Sequence, residues 1–183
     1  MASPVAEKKV ELIRVIAPRV TRIGVLTANI AAQQEALEVI RAAAKSIGLA
    51  VHIEQVASAE QLKNAFSALA TQKVSAVMVS GGPPFNGLRK ELAALAIRSR
   101  MFTISSTREY VDAGGLLSYG VSATQPFELA AEYVDKILKG AKAGDLPIQQ
   151  PTKFELIINR KTASALGIKL SPELLLRTDE IVE

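Results

Sequence analysis

The residues able to do chemistry in this chain are few, and most are of one kind. They are small hydroxyl, amide and glycine residues at the downstream ends of short apolar runs. Thr27 and Asn29 follow the run from Arg22, Ser80 and Gly81 the run from Ala76, Ser105 and Ser106 the run from Met101, and Tyr119 and Gly120 the run from Leu116. Such groups exchange hydrogen bonds with a carboxylate, an amino group or a small polar solute. Each serine taken alone is more often a helix cap than a ligand contact. Their recurrence at successive strand ends is what favours binding. Tyr119 stands between two roles, a cleft contact and a packed aromatic.

Bond-breaking chemistry finds little support. The sole histidine is His52, inside an expected strand, and there is no cysteine. A Cys–His pair and an H-E-x-x-H metal site are therefore excluded. The sequence has no G-x-S-x-G, S-x-x-K, G-x-x-x-x-G-K-[ST] or G-x-G-x-x-G. Ser80-Gly81-Gly82 lies between a strand and a helix, so its N–H groups either cradle an anion or make a plain tight turn. The expectation is a binding module rather than an enzyme, with no cofactor and no metal.

A net charge of +4 comes with scattered Lys and Arg. The densest basic run, Lys8, Lys9, Arg14, Arg19 and Arg22, reads as a solvated helix face. No aromatic residues are interleaved for base stacking, so no nucleic-acid partner is expected. No apolar run reaches the length of about 18 that suggests a membrane span. Residues 1–9 lack the apolar core of a signal peptide, so the chain as written reads as cytoplasmic.

Strands and helices alternate regularly around these residues. Strands are expected over 22–27, 49–56, 76–80, 101–105 and 116–119. Between them lie helices over 31–47, 58–69 and 88–98. A turn or two of helix is expected over 107–112, and a loop over 81–84. Ser58-Ala-Glu-Gln61 has capping-box spacing. Such alternation implies a parallel sheet covered on both faces, with ligands at the C-terminal strand ends. Further on, 126–138 is amphipathic, 140–151 has linker composition, and 153–159 alternates like a strand. Ser171-Pro172-Glu173 opens a short helix.

Two segments carry a family resemblance. One is Tyr133-Val-Asp-Lys-Ile-Leu-Lys-Gly-Ala-Lys-Ala-Gly-Asp-Leu-Pro-Ile-Gln-Gln-Pro-Thr-Lys-Phe-Glu-Leu-Ile-Ile-Asn159. The other is Arg108-Glu-Tyr-Val-Asp-Ala-Gly-Gly-Leu-Leu-Ser-Tyr-Gly120. Together they resemble the hallmarks of ABC-transporter substrate-binding proteins of the type I periplasmic fold, the group that includes aromatic-amino-acid binders. The resemblance runs over about 10–183 and corresponds to the second lobe and the C-terminal segment. It implies capture of a small solute such as an amino acid between two lobes that close by hinge motion, then delivery to an ABC permease. It also implies a periplasmic or extracytoplasmic setting. Two positions depart from the family. Thr27-Ala28-Asn29 stands where members often have an aromatic-Asn-Pro run, and Gly82 where many carry an acidic residue.

The expected fold is α/β: a largely parallel five-stranded sheet in a three-layer sandwich, plus a C-terminal helix–strand extension. The expected divisions are an N-terminal helix remnant over 1–18, the α/β lobe over 19–122, and a crossover helix, linker, strand and short helices over 123–183. In the family the last division packs on the first lobe. The apolar face of Phe154, Leu156 and Ile158 would then need a homodimer, a strand swap or a repacked C-terminus, the two-fold dimer being the favoured solution. Ligand contacts are expected at Thr27, Asn29, Ser80, Gly81, Ser105, Ser106, Tyr119 and Gly120. The alternatives are a truncated dimerising module with no tight ligand and, less favoured, a small-molecule enzyme on a doubly-wound fold.

Overall fold

The computed structural model describes residues 4–122, 124–149 and 153–183. The domain boundary expected at Ala123 and the end of the expected linker, Gln150 and Pro151, lie outside the described residues.

One seven-stranded sheet organises the chain, in the order β2-β1-β3-β4-β5-β6-β7. Its first five strands are β1 (Arg22–Thr27), β2 (Ala50–Gln55), β3 (Ala76–Val79), β4 (Phe102–Ser105) and β5 (Leu117–Val121), all mutually parallel. The helices are α1 (Pro4–Ile16), α2 (Gln34–Ser46), α3 (Ala59–Thr71), α4 (Pro83–Arg98), α5 (Arg108–Asp112), α6 (Gln125–Leu138), α7 (Arg160–Ala165) and α8 (Pro172–Leu176). The short apolar strands β3 and β4 are buried throughout, as central parallel strands covered on both faces must be.

Alternation along the strands divides the core in two. Ile23, Val25, Ala76, Met78 and Ile104 face α1 and α2, with Ala163 and Leu174 completing that layer. Leu26, Val77 and Val79 face α3, α4 and α5. The stripes that meet the sheet have helical spacing: Leu37, Ile40 and Ala44 on α2, and Leu62, Ala65, Phe66 and Leu69 on α3. Ser58 caps α3 by accepting from the Gln61 N–H at 3.2 Å, while the Gln61 side chain accepts from the Ala57 N–H at 2.8 Å. Helix α4 begins at Pro83, inside the expected loop, because a proline costs nothing in the first turn of a helix. The residue before it, Gly82, has φ +137°, a conformation that disfavours any side chain. The acidic residue common in the family at this position would be strained in this loop.

The C-terminal part extends the sheet beyond the five strands expected of it, and it does so without a second copy. Strand β6 (Phe154–Asn159) pairs antiparallel with β5 of its own chain, and β7 (Glu180–Val182) adds parallel to β6. Leu156 and Ile158 enter the α1/α2 core, and Phe154 stacks on Tyr119 with ring centroids 5.9 Å apart. The apolar face that favoured a two-fold dimer is therefore covered by the chain itself, as a repacked C-terminus. The short α7 and β7 carry no clear signal in the sequence. Asn159 caps α7 through its side chain, accepting from the Thr162 N–H at 2.9 Å. Helix α6 is different, because none of its residues is buried, and Phe127 and Leu138 are 78% and 82% exposed.

Candidate functional site

The strand order reverses at β1: β2 lies on one side of it and β3 on the other. A crevice forms at such a switch point, outside the carboxyl ends of the strands. Two cavities open along this edge. One, of about 430 Å³, lies on the α1/α2 side and is lined by Lys9, Val25, Gln33, Met78, Ser80 and Ser106 among others. The other, of about 360 Å³, lies on the α4/α5 side and includes Val79, Phe85, Arg89, Ser105, Glu109 and Tyr110. Val79, Ser80 and Gly81 line both, so the loop after β3 is their shared wall.

The expected contacts divide. Ser80, Gly81, Ser105 and Ser106 meet at this crevice. The Ser80 hydroxyl is, among the described residues, the one buried side-chain polar atom without a hydrogen-bond partner. Ser105 Oγ accepts a long bond of 3.4 Å from the Thr107 N–H. Thr27 is fully buried, and its hydroxyl donates to Gln33 Oε1 at 2.9 Å. Asn29 is exposed and accepts from the Ala32 N–H at 3.0 Å, closing the turn ahead of α2. Neither of these two lines either cavity. Tyr119 points to the α1/α2 core face of β5, with its ring on Phe154, while Ser118 and Gly120 face a third depression with Ser106 and Arg108. Arg108 forks onto both carboxylate oxygens of Glu180 and reaches Asp112 at 3.4 Å, so it ties α5 to β7.

Lys9 departs from the expected solvated basic face, whereas Arg19 and Arg22 are exposed as expected. Lys9 is only 6% exposed, and its ammonium donates to Ser106 Oγ. Burial draws its pKa down to about 8. Arg14 is half-buried and donates to the carbonyls of Pro18, Val20 and Ile47. A signal for Lys9 is present in the sequence. It stands three, four and seven residues before Leu12, Ile13 and Ile16, on the apolar stripe of α1.

The model for ABC transporter substrate-binding proteins matches residues 3–182. The chain belongs to this family. A curated relative, the tyrosine-binding protein of Clostridioides difficile (strain R20291), is 24% identical over 170 residues, covering 91% of this chain and 49% of the relative. A conserved domain protein from Vibrio cholerae superposes with a TM-score of 0.83 at 26% identity, over 98% of this chain and 60% of that one. An ABC domain in complex with L-Trp from Streptococcus pneumonia also gives 0.83, at 24% identity, over 97% of this chain and 60% of that one. This family member thus spans about half the length of the curated relative and 60% of these solved chains. No helix among its described residues is long and apolar enough to cross a membrane, and no group of His, Cys, Asp and Glu there could hold a metal.

Proposed function

We propose that this chain supplies one wall of the solute cleft of an ABC importer, and that the solute is a small molecule of the amino-acid class. The observation that carries the reading is the switch-point crevice itself. Ser80, Gly81, Ser105 and Ser106 converge there, and the Ser80 hydroxyl is left unpartnered. Two relatives, one a tyrosine-binding protein and the other a domain in complex with L-Trp, support the amino-acid class. Capture then precedes delivery to a permease outside the cytoplasm. Complete pockets bury about 70–90% of a ligand, and a single wall buries less, so affinity of this chain alone is weak. Contacts at Thr27, Asn29 and Tyr119 would act through the shape of the wall, and Gly120 through Ser106.

An NMR titration of the 183-residue chain with a panel of amino acids tests the reading. Saturable shifts of the Ser80, Gly81, Ser105 and Ser106 amides are expected. Saturable shifts confined to another surface, or none at roughly tenfold the millimolar range of a weak complex, would overturn it.

A second reading is favoured by one observation. The apolar face of α6, with Phe127, Val134, Ile137 and Leu138, is exposed. In that reading α6 is an association surface, and the chain is a dimerising module. Sedimentation over a wide concentration range separates the two, because a module of that kind dimerises without responding to solutes.

A further inference from the structure

Burying a lysine ammonium is costly unless it is well partnered, and the hydrogen bond that Lys9 donates goes to a neutral hydroxyl. It approaches Ser106 from 97 residues away in the chain. Ser80, with its orphan hydroxyl, lines the same cavity, beside Gly81. A group that accepts several hydrogen bonds and carries negative charge would satisfy all of these at once. A carboxylate has two oxygens, about four acceptor sites and the matching charge.

We propose that Lys9, Ser106 and Ser80 form a carboxylate receptor at the switch point, so that the solute taken by this wall is a small organic anion or zwitterion held by its carboxylate. The inference rests on the reading of the edge as a solute wall. The rest of the solute lies across the Ser80–Gly81 loop, where Val79, Phe85 and Tyr110 offer an apolar surface. Among the described residues, Glu35 of α2 is the other charged residue lining the Lys9 cavity. A carboxylate bound to the ammonium form holds its proton in place, so anion binding raises the pKa of Lys9.

Acetate is the probe, and the Lys9 side-chain Cε resonance, assigned against Lys9→Met, is the readout. Saturating acetate is expected to move the Lys9 titration midpoint upward, and the Ser80 and Ser106 amides to shift with it. Lys9→Met and Lys9→Gln should weaken the acetate response by about ten- to a hundredfold, the range of a charge-assisted hydrogen bond. Lys45→Met, at the exposed far end of α2, should retain it. A midpoint unmoved by acetate, or a response that survives in both Lys9 variants, overturns the receptor. L-tryptophan and tryptamine, which differ by the carboxylate, separate this failure from that of the wall. Equal edge shifts with both would sink the receptor and leave the wall standing. Edge shifts with neither, and no movement of Lys9, would sink both.

Discussion

The carbonyl oxygen of Ser106 occupies the space where a Cβ on Gly120 would stand. Glycine is therefore what lets β5 close against the loop after β4. The same approach fixes the residue whose hydroxyl meets Lys9. Gly120→Ala must displace backbone rather than a flexible side chain, and overpacking of this kind costs about 1–3 kcal/mol. Urea denaturation should show that loss. NMR should show the Ser106 amide and the Lys9 side chain moving together, and unchanged Lys9 resonances would break the link.

Lys9 makes stability depend on pH. Its folded pKa, about 8, is below the ordinary value of 10.5, so the unfolded chain holds this proton more tightly. The penalty is fully present below pH 8, falls as pH rises from 8 to 10.5, and is gone above that. Lys9→Met is expected to stabilise the chain at pH 7 by up to something on the order of 3 kcal/mol. The gain should vanish above pH 10.5. Urea midpoints of both proteins across that range check it, and a gain independent of pH would point to packing instead.

Tyr110 donates its phenolic hydrogen to Thr103 Oγ1 at 2.6 Å in a buried setting. Burial pushes the phenol well above its usual range, so it stays protonated through ordinary alkaline pH. Tyr110→Phe leaves the Thr103 hydroxyl without its donor and should cost about 1–3 kcal/mol. Adding Thr103→Val should recover much of that loss, because both polar partners are then gone. Additive losses in a double-mutant cycle would show that the bond is not the cause.

Arg108 and Glu180 form a bidentate pair at the surface. The hydrogen bond from Arg108 holds the Glu180 carboxyl below its usual range. Its contribution is present above the ordinary glutamate pKa and is lost as pH falls through the lower folded value. Solvent screening keeps the expected loss in Arg108→Met under about 1 kcal/mol. Thermal melts should show that loss shrinking with added salt.

Phe127 and Leu138 touch so little of the fold that Phe127→Ser and Leu138→Lys should leave stability within about 0.5 kcal/mol of the parent. Any self-association of the chain should weaken in the same variants, as sedimentation would show. A large drop in melting temperature would instead mean that α6 is packed in solution.

The alternating lobe is legible from local pattern alone. Apolar runs such as Ala76–Val79 are assigned to buried strands by their shortness, their valines and the Gly/Pro loop that follows, and the stripes on α2 and α3 have helical spacing. Ser80, Gly81, Ser105 and Ser106 are legible too, because a parallel sheet brings its strand ends to one edge. Three matters turn on contacts between residues distant in the chain. The place of Lys9 on the apolar stripe of α1 is a local signal, but its hydrogen-bond partner, the Ser106 hydroxyl, lies 97 residues away and is supplied only by the fold. The partner of β6 has no local signature, because an alternating pattern specifies a buried face and not which sheet edge is free to receive it. Thr27, Asn29 and Tyr119 are of the same small or hydrogen-bonding kind as the crevice residues, but the fold engages the Thr27 hydroxyl with Gln33, the Asn29 amide oxygen in the turn ahead of α2 and the Tyr119 ring with Phe154. Which hydroxyls remain unspent at the edge, as at Ser80, is decided by neighbours that the folded chain supplies and a linear pattern does not.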